Sequence, residues 1–264
     1  VQKLSLITIN TWKCEGDYIP RIKYLAEELL KLNPDIVLCQ ECFYCGSKDV
    51  STLNYLAKEL EMHQSYIPAR KKQRLFMNEY VDSESGLGVL SKFEIKKIDF
   101  CLLPNVPGDD ERMLQKLTIK LNNGQKLQII NVHLTHISTI ENHRLNQIEF
   151  IIEQIQNIAD LFIMGGDFNA LPDSEEINRL ISKAEVINLF NAFDPFFERS
   201  SLVEPFEKDQ KLNVDYLFTA KKNLENADFK IVETQTVLNQ KNLINNQYAS
   251  DHFGILSKIQ IDIK

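Results

Sequence analysis

A chain of 264 residues, 44% hydrophobic and 25% charged, can bury one large core, and its 9 Gly and 8 Pro, with no low-complexity tract or repeat, exclude a disordered or solenoid architecture. A formal net charge of −7 disfavours a protein whose main work is sequence-independent grip on a nucleic-acid backbone, because that grip comes from Lys and Arg displacing counterions. It leaves a metal-assisted nuclease open, since a cation held by carboxylates inverts the local potential that a phosphate feels.

No linker interrupts the chain, so one domain over residues 1–264 is expected. Leu4 to Asn10 reads as a strand, and Asp17 is placed to cap a helix with Pro20 in its first turn and Ile22, Leu25, Ala26, Leu29 and Leu32 on one face. Pro34 stops that helix, Asp35 to Gln40 reads as a strand buried on both faces, and Thr52 to Glu61 is helical. Strand patterns follow at Gly86 to Ser91, Ile95 to Leu103, Met113 to Leu121 and Lys126 to Leu134, mostly antiparallel, with Asn122-Asn123-Gly124 as a hairpin turn. A helix is expected from about Thr139 to Ile158, then a buried strand from Leu161 to Gly165 and a helix capped by Asp173 or Ser174. Closing strands fall at Val214 to Phe218, Phe229 to Val237 and Phe253 to Ile263. Two packed mixed β-sheets flanked by helices, an α/β (α+β) architecture, fit this order.

No apolar stretch approaches the ~20 residues that a bilayer-spanning helix needs. Val1 opens into a strand rather than a signal-peptide core, so a cytoplasmic location is expected, and a numbering without an initiator Met stays compatible with a trimmed leader. Cys39, Cys42 and Cys45 recur at the spacing of zinc ligands, but the first lies inside a strand and no His or Cys pair completes a tetrahedral set. Buried reduced thiols are the better reading. Arg70, Lys71, Lys72 and Arg74 are soon followed by Glu79, Asp82 and Glu84, and read as a solvated loop.

Polar and ionisable residues gather where strands end. Asn10 ends the first strand, Glu41 the second and His133 the hairpin's return strand; Asp167 and Asn169 follow the buried strand, Asp215 begins another, and Asp251 with His252 precede the last. A rigid sheet can hold such groups within the tolerance that catalysis demands. Two Asp and a His at strand ends are what a divalent cation and a general base need if water is to attack a phosphate ester.

In order along the chain, Ile9-Asn10-Thr11-Trp12, Pro34-Asp35-Ile36-Val37 leading to Gln40-Glu41, Asn131-Val132-His133-Leu134, Gly166-Asp167-Phe168-Asn169, Val214-Asp215-Tyr216 and Ser250-Asp251-His252 resemble the motifs of the endonuclease/exonuclease/phosphatase (DNase I-like) superfamily. The resemblance implies a four-layered α/β/β/α sandwich. It implies Glu41 as the direct ligand of Mg²⁺, with Mn²⁺ as a substitute, and Asn10 and Asp251 completing the surroundings partly through water. Asp167 would orient or deprotonate the attacking water, Asn169 would donate to a phosphoryl oxygen, His252 would face the phosphate with Asp215 on its other ring nitrogen, and His133 would donate to the phosphate or assist the leaving oxygen.

Abasic-site nucleases of the superfamily usually carry Tyr where His133 stands, which places this chain nearer the DNase I, sphingomyelinase, deadenylase and phosphoinositide phosphatase branches. Asn213 stands where many members have Arg, removing a cationic contact, and Glu79 or Glu84 is a candidate partner for the first His. His63, His136 and His143 receive no role. The expectation is a Mg²⁺-dependent phosphoesterase, most simply a monomer, acting on a nucleic acid or nucleotide. A lipid or sugar-phosphate diester is the alternative, and a catalytically silent binding protein the rival from another class. Residues 70–85, 104–112 and 192–213 form the expected rim; in the last, Phe193, Phe196, Phe197, Phe206 and Arg199 can stack a nucleobase or fill minor core.

Overall fold

The computed structural model describes residues 1–105, 108–109, 111–122, 124–137, 142–196, 199–225 and 229–262. The chain opens with strand β1 (Gln2–Asn10), helix α1 (Tyr18–Leu32), β2 (Ile36–Cys45), β3 (Val50–Ser51), α2 (Thr52–Leu60) and the long pair β4 (His63–Phe76) and β5 (Glu79–Ser91). It continues through β6 (Ile95–Leu102), β7 (Met113–Lys120), β8 (Lys126–His133), α3 (His143–Ile155), β9 (Leu161–Asp167), α4 (Glu175–Lys183) and β10 (Val186–Asn188). Short helices α5 (Leu189–Phe193) and α6 (Val203–Glu207) precede β11 (Asp215–Ala220), and α7 (Lys221–Glu225), β12 (Phe229–Val237) and β13 (Gly254–Ile261) close the chain.

One sheet has the order β12-β13-β1-β2-β5-β4, with β3 on β2; the other has the order β10-β11-β9-β8-β7-β6. Parallel pairing occurs where a helix carries the chain back across the sheet, α1 between β1 and β2 and α3 between β8 and β9. Alternation along the strands then sorts side chains into layers. Leu4, Leu6, Ile36, Leu38, Ile129, Ile163 and Leu217 pack between the sheets. Ile7, Ile9, Val37 and Cys39 point outward to Ile22, Leu25 and Leu29 of α1 and Leu53 and Leu56 of α2. Ile130, Val132, Met164 and Phe218 point the other way, to Ile148, Ile151 and Ile152 of α3 and Ile177 and Leu180 of α4. Helices outside both sheets make this the expected α/β/β/α sandwich.

Ser174, not Asp173, caps α4, its Oγ accepting from the Ile177 N–H; Asp17 stands at the start of α1 without a side-chain cap. The largest departure is residues 70–85. They form a hairpin rather than a loop: Ser65, Ile67, Arg74 and Phe76 of β4 are buried, a register shift between Pro68 and Arg70 changes which positions face inward, and a buried side chain as polar as Arg74 masks the period. Arg74 is buried, donating to Ser83 Oγ and Ser85 Oγ. The long helix begins at His143 rather than near Thr139. Asn123, Thr139, Ile140, Phe197 and Ile263 lie outside the described residues.

Gly166 has φ +145°, and a Cβ there would stand 2.0 Å from the Val132 carbonyl oxygen on the neighbouring strand. Gly166→Ala is therefore expected to lower unfolding free energy by about 2 kcal/mol or more. Urea denaturation checks this, and a wild-type midpoint would show that β8 and β9 can separate cheaply.

Candidate active site

Along the facing side of each central strand the residues grow more polar toward one end: Leu4, Leu6, Thr8, Asn10 in β1; Ile36, Leu38, Gln40 in β2; Leu127, Ile129, Asn131, His133 in β8. The amide step is stitched across the sheets, Gln40 Nε2 donating to Asn131 Oδ1 at 2.8 Å and Asn131 Nδ2 to the carbonyls of Cys39 and Gly88 at 3.0 Å. Beyond it lie the ionisable groups. Asp167 is the ladder partner of both His133 and Asp215, which brings three of them together at the ends of adjacent strands.

Asp167 Oδ2 accepts from Asn10 Nδ2 at 3.0 Å and lies 3.4 Å from His133 Nε2 and 3.9 Å from His252 Nε2, while its Oδ1 accepts from the Asn169 N–H at 2.9 Å. Asp215 is fully buried and its Oδ2 stands 2.9 Å from His252 Nδ1. Burial, and then the charge of Asp215, push the Asp167 carboxyl up to about 7. Burial alone would lower His252, but Asp215 and Asp167 outweigh it and raise the imidazole to about 10. Burial, and then the charges of Arg112 and Lys13, hold His133 well below its ordinary range. The site thus keeps one imidazole protonated and the other neutral.

Glu41 sits in a bulge of β2, where Gln40 and Glu41, between Cys39 and Cys42, oppose the single residue Leu87 of β5, with φ +55°. Its Oε1 meets Lys13 Nζ at 2.8 Å. Burial pushes the Asp251 carboxyl up, His252 pulls against this, and Glu41 adds to the rise, so Glu41, Asp251 and His252 share one electrostatic neighbourhood. Ser250 Oγ donates to the Asn10 carbonyl at 2.6 Å, closing the ring between the first strand and the last. All eight residues singled out in the sequence are therefore joined through direct or electrostatic contacts. Asn169 Nδ2 donates to the Leu134 carbonyl at 3.0 Å, which leaves its second N–H for other use.

The oxygen donors of Asn10, Glu41 and Asp251 fit a hard divalent cation, and the Lys13 ammonium shows that a positive charge is accepted there. Ligand atoms of Asp167, Asp215 and His252 also lie within 4.8 Å of one another. Within that group His252 Nδ1 is already engaged by Asp215 Oδ2 at 2.9 Å and Asp167 Oδ2 by Asn10 Nδ2 at 3.0 Å, the pattern of a hydrogen-bonded carboxylate–imidazole set.

Other residues at the site are not singled out by sequence pattern. Arg21 is 1% exposed and donates to five main-chain carbonyls, of Thr11, Trp12, Lys13, Glu15 and Ala249, at 2.9–3.2 Å. It ties the loop after Asn10 to the segment before Ser250. Arg112 donates to Asp109 Oδ1 and to His136 Nδ1, and the Asp109 Oδ2 lies 3.5 Å from His143 Nε2. His143, though unremarkable in the sequence, is buried. Arg70 and Arg112 line one cleft with Glu41 and His133. The candidates for partnering the first His point elsewhere: Glu79 pairs with Lys48 and Glu84 with Lys71.

A family model, the Endonuclease/Exonuclease/phosphatase family, matches residues 7–252, and the chain belongs to that family. No curated protein matches the chain by sequence. Among solved structures, an endonuclease/exonuclease/phosphatase from Beutenbergia cavernae is similar at a TM-score of 0.79 and 15% identity, covering 99% of this chain and 72% of that one. Truncated TDP2 of Caenorhabditis elegans is similar at 0.71 and 21%, covering 98% and 97%, and the catalytic domain of human Nocturnin at 0.76 and 18%, covering 98% and 93%. The fold is that of a family of phosphoester hydrolases. Among the described residues no helix is long and apolar enough to cross a membrane.

Two outcomes are expected of this geometry. Arg21→Met strips donors from five carbonyls, those of Thr11 and Ala249 in buried contacts, and lowers unfolding free energy by roughly 3 kcal/mol in denaturant titration; an unchanged midpoint would mean that water replaces the guanidinium. With chelator present, imidazole ¹⁵N spectra should show His252 losing its proton only near pH 10 and His133 neutral throughout the neutral range. Because the folded-state value of His252 is raised, the stability from its carboxylate contacts is full below about 6.5 and is lost as pH rises through about 10.

Proposed function

We propose that this protein hydrolyses a phosphodiester by direct attack of water, with Mg²⁺, or Mn²⁺ in its place, held by Glu41, Asp251 and Asn10. The observation that supports this most is the convergence of the cluster: Asp167 Oδ2 accepts from Asn10 and lies 3.4 Å from His133 Nε2 and 3.9 Å from His252 Nε2, while Asp215 Oδ2 stands 2.9 Å from His252 Nδ1. Asp167 orients the water and takes its proton, a task suited to a carboxylate whose affinity for protons lies near neutrality. His252, oriented by Asp215 on Nδ1, presents Nε2–H to a phosphoryl oxygen. Asn169 adds its remaining N–H as charge builds on the phosphate, and His133 donates to the phosphate or assists the leaving oxygen. The cation, when bound, neutralises charge on the phosphate and the leaving group. No covalent enzyme intermediate is needed.

A nucleic acid or nucleotide is the substrate class we favour. Arg70 lines the cleft beside Glu41 and His133 and, with Arg112 behind it paired to Asp109, offers a cation to a phosphate there despite Glu111 in the same lining and the net charge of −7. The Nocturnin domain that shares this fold carries a bound sulfate, a tetrahedral anion like phosphate. A lipid phosphodiester is the second reading, favoured by Leu75, Met77 and Tyr80, which are exposed near the β4–β5 turn, and by Leu243 and Ile244, fully exposed between β12 and β13.

Asp167→Ala and His252→Ala should each lower hydrolysis of bis(p-nitrophenyl) phosphate by about a thousandfold while the circular dichroism spectrum keeps its shape. Chelation should abolish wild-type turnover and added Mg²⁺ or Mn²⁺ restore it. Turnover retained in both variants would overturn the mechanism. A panel of single-stranded and duplex DNA, RNA, sphingomyelin and inositol phosphates separates the two substrate classes.

A further inference from the structure

Lys13 and Glu41 are joined twice. The Lys13 N–H donates to the Glu41 carbonyl at 3.2 Å, and the Lys13 ammonium stands 2.8 Å from Glu41 Oε1. Among the described residues Glu41 is the one carboxylate paired with Lys13, and Lys13 the one cation paired with Glu41. Arg21 holds the backbone from the other side, donating to the carbonyls of Thr11, Trp12 and Lys13. What is left to move is the four-carbon stem of the lysine. Both groups are within reach of solvent, the Lys13 side chain being 26% exposed and that of Glu41 13%.

The ammonium therefore sits on the carboxylate that the metal-dependent reading makes the direct ligand of the cation. A partly exposed pair of single charges is weak, because water screens it and a long side chain loses freedom in making it. A hard divalent cation brings twice the charge and takes carboxylate oxygens directly, so it prevails at Glu41 and repels the ammonium it replaces. The lysine is not thereby carried out of the site. After burial and Arg112, Lys13 is the next influence holding His133 low, so its charge already lies within the field of an imidazole assigned to the phosphate. A phosphoryl oxygen offers the released ammonium, with its three donors, a new anionic partner.

We propose that Lys13 is a further active-site residue with two positions: in the cation-free protein its ammonium fills the metal's place on Glu41, and on metal binding it moves to a phosphoryl oxygen of the substrate. The inference rests on the metal-dependent reading of the site and deepens it by naming the side chain that couples occupation of Glu41 to contact with the substrate.

Three measurements test it. Titration of Mn²⁺ followed by electron paramagnetic resonance should show Lys13→Met binding about tenfold tighter than the wild type, because no ammonium has to be displaced. A lysine that merely braced Glu41 would make the same variant bind more weakly. In the wild-type protein, where folding of a variant is not at issue, acetic anhydride should label Lys13 several-fold faster with Mg²⁺ than with chelator, as read by mass spectrometry. At saturating Mn²⁺, Lys13→Met should lower kcat/KM for bis(p-nitrophenyl) phosphate by about tenfold or more. Equal or weaker Mn²⁺ binding by Lys13→Met, labelling indifferent to Mg²⁺, or undiminished turnover of the variant would each overturn the proposal and leave the metal assignment standing. A wild-type protein that binds no Mn²⁺ would overturn both.

Discussion

Two hydrogen bonds that cross from one sheet to the other, Asn10 to Asp167 and His252 to Asp215, set the terms for the rest of the molecule. Apolar faces alone would let two sheets slide over each other, because burial of hydrocarbon has no direction. Directional bonds between buried groups remove that freedom. Asp167 and Asp215 are at most 1% exposed, and a buried carboxylate deprived of its partner is strongly penalised. The amide layer beneath them, Thr8, Gln40 and Asn131, works the same way on a smaller scale: each bond contributes about 1 kcal/mol, but a lone unmatched amide costs about 1–3. Register between the sheets is therefore fixed at the end where chemistry needs it.

That end concentrates Glu41, Asp167, Asp215 and Asp251, and its cations are arranged by distance. His252 sits within the cluster, Lys13 meets Glu41 at the rim, and Arg21 stands behind, spending its five donors on carbonyls rather than on a carboxylate. Such a guanidinium leaves the acidic groups free to face a substrate or a metal while still adding positive potential to the loop that carries Lys13. Arg74, also buried and donating to serine hydroxyls, plays a similar part from the β4–β5 hairpin. Of the nearby cations, Lys13 and His252 meet carboxylates directly, whereas Arg21 and Arg74 are held by neutral partners.

The sandwich and its acidic cluster were legible in the letters because a strand's period of two survives any side chain that keeps its place. Leu4, Leu6, Thr8, Asn10 and Leu127, Ile129, Asn131, His133 each run from hydrocarbon through hydroxyl or amide to a member of the polar cluster, and that gradient is written in one strand at a time. What stayed hidden depends on groups distant in sequence. Arg74 in β4 breaks the polar–apolar alternation by being buried, so the hairpin reads as a charged loop until Ser83 and Ser85 are seen opposite. Arg21 lies on a helix like many surface arginines, and only the fold reveals the carbonyls around it. His143 and Arg112 join through Asp109, in a charge run that resembles solvated surface.

Left-handed backbone occurs in many turns of the chain and also beside the cluster. Trp12, Lys13, Glu41 and Asn169 all have left-handed φ, at 56°, 43°, 55° and 49°, and all four adjoin the cluster. For a non-glycine residue this costs on the order of 1–2 kcal/mol, which glycine would relieve at any position where the side chain were idle. Glu41 shows why the cost is borne. Cys39 and Cys42 both belong to the outer core beneath α1 and α2, so regular alternation would leave no strand position from which residue 41 could reach the cleft without disturbing one of them. The extra residue in β2 keeps both cysteines in the core and turns the carboxylate toward Lys13 at the mouth of the site. The bulge is thus a device for delivering one charge, and its strain is offset by the cores on either side that hold the two sheets rigid.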